Sequence, residues 1–123
     1  MADELTISGL RLSFVKANCP SIAINAPTLT VDVAGTQVVD NVQSVGTSEE
    51  ALVIADVAAG GYCYIQNMDA TNYVSVRQGT GTTDLIKLLA GEFCLFRLHP
   101  SSTAPYIIAD TATCNVRVLR FDL

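Results

Sequence analysis

At 123 residues the chain has the length of one domain with one hydrophobic core. Half of its residues are hydrophobic and only 15% are charged, a composition that favours a protein with partners over a free monomer. The net charge is −5 and the seven basic residues are scattered, which argues against a phosphate-binding patch for nucleic acid. Acidic residues near the N-terminus, and no run of about 20 apolar residues, predict a protein made in the cytoplasm that does not enter a membrane.

The first 27 residues are less regular than the rest and contain Pro20 and Pro27. Two interpretations fit this segment. It is an N-terminal arm that becomes ordered only on a neighbouring molecule, or its "LRLSFVK" forms an ordinary edge strand of the main domain. We therefore assign residues 1–27 to an arm or edge strand and residues 28–123 to the main domain.

The main domain shows the alternation of apolar and polar residues that is typical of β-strands. In "TLTVDV" the side chains of Leu29, Val31 and Val33 share one face, and in "NVRV" those of Val116 and Val118 do. Turn-forming stretches separate about ten short runs along the chain: "LRLSF", "TLTVDV", "TQVV", "ALVI", "YCYIQ", "YVSVR", "LIKLL", "FCLFRL", "YIIA" and "NVRV". The pattern predicts an all-β protein, an antiparallel β-sandwich with a jelly-roll-like arrangement.

One segment, "TSEEALVIADVAAGG", fits two structures. Thr47 and Glu50 have the spacing of a capping box, which indicates a helix start. Against a helix, Val53, Ile54 and Val57 are β-branched and the apolar residues form no helical stripe. A turn followed by a strand is the preferred prediction.

Side chains suited to catalysis or metal binding are few and far apart. Cys19, Cys63, Cys94 and Cys114 form no C-x-x-C pair and are expected to be free structural thiols. The single histidine, His99, precedes a proline in a loop, and no G-x-S-x-G motif accompanies it. We therefore expect no catalytic residue, no metal site and no cofactor, and predict that the protein is not an enzyme.

The stretch "NMDATNY" is the strongest candidate for an interaction loop. Its candidate residues are Asn67, Asp69, Thr71, Asn72 and Tyr73. The preferred interpretation is nevertheless a hairpin connection between "YCYIQ" and "YVSVR" in which the Asn and Asp side chains accept backbone N–H bonds. The loop lacks the spacing of a calcium site.

A second candidate surface is aromatic. Tyr62 and Tyr64 alternate along one predicted strand, and Tyr73 is expected on an adjacent strand of the same face. Such a patch serves a protein interface or the core more often than it serves sugar stacking.

Several of these pieces together resemble small β-rich proteins encoded in the structural gene clusters of tailed bacteriophages. The resemblance covers residues 28–123, and its most specific parts are "NMDATNYV" and "LAGEF". It implies a β-fold that carries no catalytic residues.

The function implied by this resemblance is that of a virion structural protein. We expect a capsid decoration (cement) protein on the capsid surface, a homo-oligomer and specifically a trimer, that binds the major capsid protein and bridges neighbouring subunits. The alternative is a receptor-binding or adhesin module of a tail or head fibre, with "NMDATN" and "QGTGTT" as surface loops.

Overall fold

The computed structural model describes residues 4–53, 57, 61–99 and 105–122. These residues form twelve β-strands and no helix, and all strand pairs are antiparallel. None of the described residues therefore belongs to a helix that could span a lipid bilayer. The predicted all-β sandwich is confirmed. Contacts divide the chain into two compact units, Met1–Ala34 and Gly35–Leu123.

The first unit is built from four short strands. They are β1 (Glu4–Ile7), β2 (Arg11–Phe14), β3 (Ile22–Asn25) and β4 (Leu29–Asp32). Strand β1 pairs with β4 and β2 with β3, and the register that joins Ile7 to Leu29 continues, residue by residue, to the pair Arg11–Asn25. Residues 4–32 are therefore one long β-hairpin with a break in its middle.

The break has a local chemical cause. Gly9 has a φ of 75°, a conformation that residues with a side chain rarely adopt, and Pro27 has no N–H to donate to a ladder. The amide of Ala26 still donates to the carbonyl of Leu10 over 2.9 Å, which resumes the ladder toward the hairpin end. The break thus separates a proximal ribbon, β1–β4, from a distal ribbon, β2–β3.

This hairpin differs from the interpretation of the N-terminal segment as an edge strand of the main domain. The strand in "LRLSFVK", Arg11–Phe14, pairs with Ile22–Asn25 and joins neither of the four-stranded sheets. The run "TLTVDV", which the sequence assigns to the main domain, supplies β4 and pairs with β1. The division consequently falls after Ala34 instead of after residue 27.

The second unit contains eight strands. They are β5 (Val38–Val45), β6 (Glu50–Ala51), β7 (Gly61–Asn67), β8 (Val74–Arg77), β9 (Asp84–Leu88), β10 (Phe93–Leu98), β11 (Tyr106–Ala109) and β12 (Cys114–Phe121). The first sheet has the order β10-β7-β12-β5 and the second sheet the order β6-β11-β8-β9. Four strand pairs of the second unit are nested: β5 pairs with β12, β6 with β11, β7 with β10 and β8 with β9. This rolled-up pairing of eight strands in two sheets is the jelly-roll arrangement.

The core lies between the two sheets and follows the period of two. Along β7 and β12 every second residue is buried, and β11 repeats the pattern. The buried hydrophobic cluster contains Val45, Leu52, Cys63, Ile65, Val74, Val76, Leu88, Ile107, Ala109, Cys114, Val116 and Val118. Both sheets contribute to it, so the sandwich is held together by apolar burial.

Three of the four cysteines, Cys63, Cys94 and Cys114, belong to this packing. All four are free, and Cys63 and Cys114 are buried. Burial raises the pKa of Cys63 and of the partly buried Cys94 to about 11, so both remain protonated thiols at neutral pH. Cys19 is exposed and lies between β2 and β3.

The ambiguous segment after residue 46 forms a bend and then a short strand. Glu50 pairs with Ile107 and Ala51 with Tyr106, and residues 46–53 contain no helix. Most of the remaining apolar run, 54–56 and 58–60, lies outside the described residues. The turn and strand agree with the preferred prediction.

Candidate functional site

The loop 68–73 passes from one sheet to the other. It leaves β7 in the first sheet and enters β8 in the second, and these two strands do not pair. The sequence-based prediction of a hairpin connection was therefore wrong. The local turn chemistry supports a crossing equally well, because it does not specify which sheet the next strand joins.

Asn67 is the anchor of this loop and is completely buried. Its side-chain Nδ2 donates to the carbonyl of Asn72 at 2.8 Å and to that of Leu88 at 3.0 Å, and its Oδ1 accepts the amide of Asp69 at 3.0 Å. Its backbone also bonds to Gly91 and Glu92. Since all side-chain groups of Asn67 are used internally, this candidate residue positions the loop and is not open to a ligand.

Asp69 closes the turn itself. Its Oδ2 accepts the amides of Asn72 at 2.6 Å and of Thr71 at 3.0 Å. These backbone hydrogen bonds lower the pKa of Asp69, because they stabilise the carboxylate form. Asp69 therefore satisfies the N–H groups of the turn, as the turn interpretation predicts.

The other three candidates stay at the surface. Thr71 is exposed, and Asn72 accepts the hydroxyl of Thr111 at 3.0 Å. The ring of Tyr73 lies under the Lys87 ammonium, 4.1 Å from the ring centre. The hydrogen bond to Asp110 raises the pKa of Tyr73.

Replacing Asp69 by alanine is expected to lower the melting temperature, because two backbone amides lose their acceptor. The lowered pKa means that this stabilisation is complete above the ordinary Asp value of 3.8 and is lost as the pH falls through the folded-state value. The difference in melting temperature between wild type and Asp69→Ala should therefore disappear at acidic pH. Thermal melting at several pH values measures it. Asp40→Ala, at an exposed site, is the matched control. If Asp69→Ala abolished attachment to the capsid without lowering the melting temperature, the structural role of Asp69 would be contradicted.

The predicted aromatic patch is formed by Tyr62 and Tyr64 without Tyr73. The first two lie on the outward side of β7, whereas Tyr73 immediately precedes β8 in the other sheet. Tyr64 stacks on Phe93 with ring centres 5.5 Å apart, and the Arg97 guanidinium lies 5.7 Å from the ring centre of Tyr62. The expectation of three tyrosines on one face was wrong because it assumed a hairpin.

The two tyrosines belong to a larger surface that sequence analysis missed. We name it the outer apolar face: six apolar residues on the outward side of the first sheet, Val42, Tyr62, Tyr64, Phe93, Leu95 and Leu119. Phe93 is 52% exposed, Val42 51% and Leu95 37%. The signal was present in "FCLFRL", in which apolar residues occupy both sides of the strand.

Charged groups lie on the same side of the sheet, because Arg97 is the ladder partner of Tyr62, and Arg117 that of Val42 and Gln66. Arg97 is at the end of β10, and Arg117 pairs with Asp40, with 3.3 Å between Nε and Oδ1. Aromatic and arginine side chains together are enriched in protein interfaces.

The outward side of the second sheet is polar instead. Arg77 forms ion pairs with Glu49, at 2.7 Å, and with Asp84. The hydrogen bond from Arg77 lowers the pKa of Glu49. Glu49 also accepts the amide of Gly81 at 2.9 Å, which holds the "QGTGTT" loop in place. A cavity of about 160 Å³ beside Arg77 is lined by Tyr73, Ser75, Asp84, Ile108 and Asp110 among others.

Metal ligands are not brought together in the part of the chain described. No three His, Cys, Asp or Glu side chains in it are placed to hold a metal ion. No protein-family model, curated protein or solved structure matches this chain.

Proposed function

We propose that this chain is a structural protein of a tailed-bacteriophage virion, a capsid decoration protein that binds the assembled shell and bridges neighbouring capsid subunits. The observation that carries the proposal is the presence of two exposed apolar surfaces, the outer apolar face and the distal ribbon of the hairpin. Soluble monomers rarely expose large apolar patches, and such patches mark protein interfaces.

Three further features support the proposal. The low proportion of charged residues suits a protein that is largely covered in its assembly. The jelly roll occurs in viral capsid proteins, although this fold also serves other functions. The motifs "NMDATNYV" and "LAGEF" carry the resemblance to phage structural proteins.

The mechanism is mass action. A trimer that binds only the mature arrangement of the major capsid protein stabilises that arrangement, by about 4 kcal/mol per site at a thousand times its dissociation constant. Because a shell offers many equivalent sites, the contributions add over the particle.

A receptor-binding module of a fibre is the second candidate, and the polar cavity favours it. Tyr73, Arg77, Asp84 and Asp110 border this cavity. An aromatic ring beside carboxylates and a guanidinium is a combination suited to sugar hydroxyls.

Copy number separates the two candidates. Quantitative mass spectrometry of purified virions should find the decoration protein at an abundance close to that of the major capsid protein, whereas a fibre module would be present in tens of copies or fewer. Adding purified protein to shells that lack it should raise their melting temperature, with bovine serum albumin as the control. Low copy number or no binding to shells would contradict the proposal.

A further inference from the structure

The distal ribbon exposes an entire apolar face. Its cross-strand pairs are Leu12–Ile24 and Phe14–Ile22, and these four side chains lie on one side of the ribbon. They are 46–60% exposed. An isolated two-stranded ribbon is at best marginally stable in water, so this face requires a surface to cover it.

The outer apolar face of the first sheet has matching dimensions. Each strand of the distal ribbon has four residues, a length of about 13 Å at about 3.3 Å per residue. Strands β7 and β10, which carry most of the outer apolar face, have seven and six residues. The ribbon is therefore shorter than the strands that carry the face.

The charges of the two parts are complementary. Residues 8–28, which contain the distal ribbon, include Arg11 and Lys16 and no acidic residue. Residues 35–123 include nine acidic and five basic residues, so this part is net negative. A positively charged ribbon is attracted to a negatively charged sandwich, and this long-range attraction favours their encounter.

We propose that the distal ribbon of one copy docks on the outer apolar face of a second copy of this chain. Each copy then donates one ribbon and receives one, a head-to-tail contact that forms a ring when the rotation between copies closes. The inference rests on the oligomer of the proposed function but not on binding to a shell.

Substitutions on the two surfaces test the contact. Leu12→Ser with Ile24→Ser disrupts the ribbon face, and Leu95→Ser disrupts the sheet face. Ala23→Ser, on the opposite side of the ribbon, and Leu85→Ser, at a 74% exposed position of the second sheet, are the matched controls. By sedimentation equilibrium the wild type and both controls should have a mass that is a multiple of 13.0 kDa. Each disrupted variant should associate at least about tenfold more weakly.

Mixing the two disrupted variants makes the test specific. The intact ribbon of the Leu95→Ser protein can dock on the intact face of the other variant, so a mixture should form a heterodimer that cannot close into a ring. No heterodimer in the mixture, or a wild type that stays monomeric, would overturn the proposal.

A crosslink on the wild-type ribbon avoids any loss of folding. Cys19 is the exposed thiol, so benzophenone maleimide should label it in preference to the buried cysteines. In a mixture of ¹⁴N and ¹⁵N protein, photocrosslinks should join light to heavy chains and map to β7 or β10. Crosslinks only within one chain would show that the ribbon docks on its own sandwich, and crosslinks elsewhere would exclude the face.

The outcomes also separate this inference from the proposed function. An oligomer built through the ribbon that does not bind shells would contradict only the decoration role. A monomer that binds shells would contradict only the docking.

Discussion

Replacing Ile107 by alanine is expected to lower the free energy of unfolding by about 4 kcal/mol. Ile107 is completely buried in β11, between its ladder partners Glu50 and Val76, and belongs to the cluster between the two sheets. The substitution removes apolar contacts from both sheets and leaves a cavity that a packed core does not refill. Urea denaturation would measure the loss as a lower midpoint, with an unchanged slope of the free energy of unfolding against urea concentration.

The neighbouring residue provides the control. Ile108 carries the same side chain on the same strand but points outward and is only partly buried. Ile108→Ala should cost about 1 kcal/mol, because little transfer free energy is lost at such a site. Equal losses for the two variants would contradict the assignment of faces along β11.

The contrast between Ile107 and Ile108 explains why the fold class was predictable. Alternation is a local property, so "YIIA", "YCYIQ" and "NVRV" are recognisable as strands without knowledge of their partners. Short strands without a long crossover leave few arrangements other than an antiparallel sandwich. Strands β7, β11 and β12 follow that alternation.

The N-terminal hairpin was not predictable in the same way. Strand β3 lies in "SIAIN", between Pro20 and Pro27, and those prolines favoured an irregular arm. The strand is stabilised by pairing with Arg11–Phe14, a contact that no local pattern encodes. The exposure of the ribbon's apolar side chains likewise depends on what surrounds them and not on the pattern itself.

The candidate site was predicted only in part, for a related reason. The turn chemistry of Asn67 and Asp69 is local, and both side chains do accept backbone amides. The hydrogen bond from the Asn67 side chain to the carbonyl of Leu88 could not be anticipated, because Leu88 is distant in sequence. The outer apolar face depends on which strands are neighbours in the first sheet, a property of the whole topology.

Asn67→Ala tests this long-range role of the loop and is expected to cost about 3 kcal/mol, since three hydrogen bonds of a buried side chain are lost at about 1 kcal/mol each. The carbonyls of Asn72 and Leu88 lose a donor, and with it the tie between the loop and β9. Thr71→Ala, in the same loop but exposed, should change stability by less than about 0.5 kcal/mol. Thermal melting of both variants measures the difference. If Asn67→Ala were as stable as Thr71→Ala, the buried amide would not be what holds the crossing between the sheets, and the loop would again be a candidate for binding.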